Sequence, residues 1–65
     1  MSIAYTKNSW SKKEMFEQLR GFNIHTVRAT INRVIAEKRE IPLSHAKDQK
    51  ILKPSEAEIV LNEFA

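Results

Sequence analysis

The chain of 65 residues has no cysteine, a single glycine and only two prolines. Without cysteine there is no disulfide framework, no thiolate zinc site and no cysteine nucleophile, a composition compatible with a reducing cytoplasm. His25 and His45 stand apart from each other and from any close carboxylate pair, so no metal site is expected. One glycine cannot build a glycine-rich phosphate loop. Ser9, Ser11, Ser44 and Ser55 lack an assembled base and acid, and a chain this short hardly encloses a pocket. Neither catalysis nor a cofactor or small-molecule substrate is therefore expected. No apolar run approaches the roughly 20 residues that cross a bilayer, and the start Met1-Ser2-Ile3-Ala4-Tyr5 lacks the apolar core of a secretion signal. The expectation is a cytoplasmic protein with no membrane partner.

What the chain does have is an uneven charge. Residues 1–53 hold all eleven Lys and Arg against five carboxylates, a balance of +6, and residues 54–65 carry −3. The first part thus points toward a polyanion and the last toward a different task. A domain of this size buries only about 60% of the surface of its unfolded chain, so its stability is marginal and a partner would help it.

Residues 1–10 read as an arm with a short strand at Ile3-Ala4-Tyr5, and residues 11–65 as one domain. Ser11-Lys12-Lys13-Glu14 carries the Ser-x-x-Glu capping pattern, with Trp10 and Met15 placed as a hydrophobic staple. Met15, Phe16 and Leu19 form the inward stripe, and Gly21 is placed to take the left-handed conformation that stops the helix, so the first helix spans about 11–20. Asn23 caps a second helix whose inward residues are Ile24, Val27, Ile31, Val34 and Ile35 and which ends near Arg39 or Glu40, before Pro42. Ile41–His45 and Gln49–Leu52, around the tip Ala46-Lys47-Asp48, read as a β-hairpin with Pro42 on an edge. Pro54 opens a last helix with Ala57, Val60, Leu61 and Phe64 as its buried stripe. The expected fold is mainly α with a small β-hairpin, in the order helix, helix, hairpin, helix. The closing Asn62-Glu63-Phe64-Ala65 stops in mid-helix, which reads as a cut from a longer protein.

Winding the second helix at about 100° per residue puts His25, Arg28, Ala29, Asn32, Arg33, Ala36 and Arg39 on its outer face. That face is basic, able to hydrogen-bond and kept slim by two alanines. It suits the DNA major groove, where Arg pairs with guanine edges and Asn with adenine edges.

Two helices joined by Gly21-Phe22-Asn23, followed by Thr26-Val27-Arg28, resemble the winged helix-turn-helix superfamily over about residues 11–64. The phrase Ile51-Leu52-Lys53-Pro54-Ser55-Glu56-Ala57-Glu58 looks most like the MerR and excisionase type. The chain departs from the MerR pattern in having Ala29-Thr30 where an aromatic pair is usual, and it lacks the long dimerising helix and the effector domain. The resemblance implies that the second helix reads duplex DNA and that the hairpin is the wing.

On this reading His25, Arg28, Ala29, Asn32 and Arg33 face the bases. Lys12 and Lys13, in the first turn of the first helix, hold phosphates, and Thr26, His45, Lys47 and Lys50 are backbone or wing contacts. The expected function is sequence-specific binding of double-stranded DNA by a small regulator or a replication-origin or partition protein. Its setting would be bacterial, phage or plasmid-like, cytoplasmic or nucleoid-associated. One such module makes few base contacts, so a homodimer or an array on repeated sites is expected, with Ile59, outside the main stripe of the last helix, as the self-association residue. The alternative is a protein-interaction adaptor or inhibitor module that docks on an acidic partner without binding DNA.

Overall fold

Side-chain caps fix where the helices begin. The computed structural model describes residues 9–65, and in it Ser11 Oγ accepts from the Glu14 N–H at 3.0 Å while Glu14 Oε1 accepts from the Ser11 N–H at 2.9 Å. This reciprocal pair opens α1 (Lys12–Gln18). Asn23 Oδ1 accepts from the N–H groups of His25 and Thr26 and opens α2 (Ile24–Arg39). The strand expected at Ile3-Ala4-Tyr5 lies outside the described residues.

The turn between α1 and α2 is built without a left-handed residue. α1 ends at Gln18 rather than Arg20, its cap Leu19 has φ −112°, and the Phe22 N–H donates to the Leu19 carbonyl at 3.0 Å. Gly21 has no positive φ, and a Cβ built on it would meet nothing within 4 Å, so its expected role as a left-handed stop is corrected. The left-handed residue is instead Glu40, at φ 54° and ψ 49°, where α2 ends and the N–H groups of Glu40 and Ile41 both donate to the Ala36 carbonyl.

The expected hairpin does not form. Pro42 instead takes the N-cap position of a short helix, α3 (Leu43–Asp48), with its carbonyl accepting from the N–H groups of His45 and Ala46. The segment's own residues favour this in the competition with a hairpin. The segment carries the helix formers Leu43, Ala46 and Lys47 and has no Asn-Gly or Asp-Gly pair to close a two-residue turn. Leu52 still enters a strand, but β2 (Ile51–Leu52) pairs antiparallel with β1 (Trp10–Ser11), Trp10 opposite Leu52 and Ser11 opposite Ile51. The Lys12 N–H adds one more bond, to the Lys50 carbonyl. Trp10 thus belongs to the folded unit rather than to the arm.

α4 (Pro54–Glu63) follows at once, with Pro54 in its first turn, where its missing N–H costs nothing. The core gathers Trp10 and Met15 with Leu19, the α2 residues Val27, Ile31, Val34 and Ile35, and Ala46, Leu52, Ala57 and Val60. Two apolar expectations change. Ile24, at the very start of α2, is 49% exposed rather than inward, and Ile59 is half-buried and packed against the core rather than left outside it. Among the described residues no helix is long and apolar enough to cross a membrane.

Candidate nucleic-acid interface

The candidate site is the surface of α2 that its neighbours leave open, and three side chains mark its edge. Arg28, Asn32 and Arg39 leave α2 within about 40° of one another at about 100° per residue, and this side runs along α1, α3 and β2. The Arg28 guanidinium stands 5.7 Å from the centre of the Phe16 ring of α1 and stays exposed. Asn32 is buried, and its Oδ1 accepts from Lys12 Nζ at 2.7 Å. Arg39 is half-buried and gives both Nε and Nη2 to the Glu56 carboxylate at 2.9 Å, with further bonds to Gln49 and to the Ile51 carbonyl.

Two sequence expectations are corrected here. Asn32 is buried and its carbonyl oxygen is taken by Lys12, so it offers a base edge at most its amide NH2. Lys12 is no simple phosphate holder, since its ammonium donates to Asn32 and to the carbonyls of Ala46 and Lys47, clasping the end of α3. Burial pulls the Lys12 ammonium below the ordinary lysine range; Asp48 opposes this, while Arg28 and Arg39 add to it.

Arg39 and Glu56 make a structural clamp. Burial pushes the Glu56 carboxyl up, but the Arg39 hydrogen bonds, the Lys53 N–H at 2.8 Å and the nearby positive charges together hold it below the usual carboxylate range. The pair joins the end of α2 to β2 and the first turn of α4.

The open face of α2 consists of His25, Thr26, Ala29, Arg33 and Glu37, all exposed. Its centre is rotated by roughly 60° from the expected one at about 100° per residue, because α3 covers the flank that a hairpin would have left free. Arg33 sits between two carboxylates, Glu37 at 3.5 Å and Glu63 of α4 at 3.2 Å, all about half exposed. Lys13, His45, Lys47 and Lys50 are exposed, the first in the opening turn of α1 and His45 and Lys47 on α3.

Between α2 and α3 runs an open groove of about 510 Å³, floored by Ala29, Asn32 and Ala36 and walled by Arg33 and Glu37 on one side and Leu43 and Lys47 on the other. Leu43, Glu37 and Glu63 did not stand out in the sequence. Once residues 43–48 are known to be helical, Leu43 and Lys47 fall four apart on one face, and that spacing is the signal that a hairpin reading hides. Among the described residues no group of His or carboxylates could hold a metal ion. Compared with protein-family models, curated proteins and solved structures, the chain matches none.

Proposed function

We propose that this chain is a helix-turn-helix domain that binds double-stranded DNA in a sequence-specific way, with α2 as the reader and α3 standing where the winged relatives it resembles carry a hairpin. The observation that carries the reading is the N-terminal half of α2. It starts on the surface at the Asn23 cap and presents His25, Thr26, Arg28 and Ala29 to solvent, in the part of a recognition helix that meets base edges in this class of reader.

In this reading His25, Arg28, Ala29 and Arg33 face the bases, and Lys13, Thr26, His45, Lys47 and Lys50 lie against the backbone. Arg33 exchanges one of its carboxylate partners for DNA on binding. The small reader favours two modules on paired sites, although Ile59, packed on the core, no longer marks the dimer surface. The second reading is a protein-docking module, for which the same groove between α2 and α3 would seat a partner segment.

Titration of a mixed-sequence duplex at several salt concentrations separates the two. The DNA reading expects affinity to fall with salt, with a slope of about 0.9 per phosphate neutralised. No binding at low salt would leave the docking module ahead.

A further inference from the structure

We propose that the groove between α2 and α3 takes the 5-methyl groups of thymine, so that the DNA site carries A·T pairs where this groove lies over the major groove. The inference rests on the DNA-binding reading and adds to it the kind of base that the middle of α2 selects.

The argument starts from what the floor offers. Ala29 and Ala36 expose only Cβ atoms, and Asn32 between them is buried with its Oδ1 already accepting from Lys12 Nζ. For hydrogen bonding a base edge finds there only the Asn32 amide NH2. A methyl group finds Ala29, Ala36 and the Leu43 side chain, which is 54% exposed although apolar. Thymine is the base that places a methyl group in the major groove, and apolar side chains are its usual contacts.

Charge then selects the occupant. The walls carry Arg33 and Lys47, Lys13 lies exposed in the opening turn of α1, and Arg28 stands near enough to Lys12 to lower its proton affinity. Arg33 is shared between Glu37 at 3.5 Å and Glu63 at 3.2 Å, which leaves Lys47 as the cation of the walls without a carboxylate partner among the described residues. Lys47 on the wall, together with the +6 balance of residues 1–53, suits a duplex, whose phosphates flank the base edges. Length agrees too. Ala29 to Ala36 spans about 10 Å of helix axis, or roughly three base pairs, next to the pairs faced by His25 and Arg28.

The test begins with a duplex selected from a random pool, in which each thymine is then replaced by uracil, a change that keeps the pairing and removes only the methyl group. Affinity of the whole chain is measured for both forms, with Leu43→Ser alongside and its fold checked by thermal melting. The expected result is a loss of about fourfold per methyl group in contact and a much smaller loss for Leu43→Ser, which should still bind duplex. Equal affinity of the wild type for the two forms overturns the methyl pocket while leaving DNA binding in place. A preference for thymine that Leu43→Ser retains overturns the assignment to this groove. Failure to bind any duplex at low salt overturns both readings and gives the groove to a protein segment.

Discussion

Arg28 and Arg39 stand on one side of α2, about 20° apart in projection at about 100° per residue, yet the fold gives them opposite work. Arg28 lies over the Phe16 ring with its charge open to solvent. Arg39 is folded into a network with Glu56, Gln49 and the Ile51 carbonyl that ties α2 to β2 and α4. The difference comes from what passes alongside. Beside Arg28 lies Phe16 of the short α1, whereas Arg39 is met by the chain returning through β2 into α4. A helical wheel reports the direction in which a side chain leaves the axis, and it is blind to the neighbour that meets it. The same blindness put Asn32 on the reading face, although it is buried under Lys12.

The sharpest way to break this comparison is to truncate both arginines. Arg39→Ala leaves Glu56, whose side chain is 2% exposed, without its main partner, and should cost about 3 kcal/mol, the lower end for a broken buried pair because the Arg39 side chain keeps 22% exposure. In a domain this small that is a large part of the total. Arg28→Ala should leave stability nearly unchanged and weaken DNA binding. Chemical denaturation of the two variants checks it, and equal losses of stability would dissolve the contrast.

Acid probes the same clamp. Glu56 titrates below its ordinary value in the folded chain, so it contributes stability that is fully present above the unfolded carboxyl value of about 4.3 and is lost as pH falls through the lower folded value. Melting temperature should drop over that range in the wild type and drop less in Glu56→Gln. Parallel acid profiles for the two proteins would mean that the clamp contributes nothing.

Lys12 sharpens the comparison from the other end. Lys12→Met leaves Asn32 Oδ1 and the carbonyls at the end of α3 without their donor and should cost about 2 kcal/mol. DNA affinity of the folded protein should change less than it does for Lys13→Met. A uniform fall in affinity with no change in stability would return Lys12 to the phosphates.

The smallest effects test the two turns. Glu40 holds a left-handed conformation that suits glycine, so Glu40→Gly should gain stability, by up to about 1 kcal/mol. Gly21 has no positive φ and open space at its Cβ, so Gly21→Ala should be neutral or stabilising by about 0.5 kcal/mol. A clear loss at Gly21 would show a backbone demand that its dihedral angles do not carry.

What could be read in advance follows from how local each signal is. The Ser11–Glu14 box, the Asn23 cap and Pro54 each act within one helical turn, and the structure has all three where their spacing put them. The stop of α1, the path of residues 41–50 and the exposed sector of α2 depend on longer-range competition. Ile51-Leu52, expected to pair with the upstream Ile41–His45, pairs instead with the distant Trp10–Ser11. The upstream segment is not free to pair because Pro42 and the helix formers after it favour a turn of helix. With α3 in that place, Lys12 gains acceptors at its end, Asn32 is covered, and the open face of α2 turns toward Ala29 and Arg33. One misread segment of six residues thus removed Lys12 and Asn32 from the expected contacts.

Amide chemical shifts of the labelled chain during titration with duplex DNA test the central claim most directly. The signals of His25, Thr26, Ala29, Arg33 and Leu43 should move and those of Arg39, Ile51 and Glu56 should stay in place, with the response fading as salt is raised. Shifts concentrated around Arg39 and Glu56, or no shifts at low salt, would contradict it.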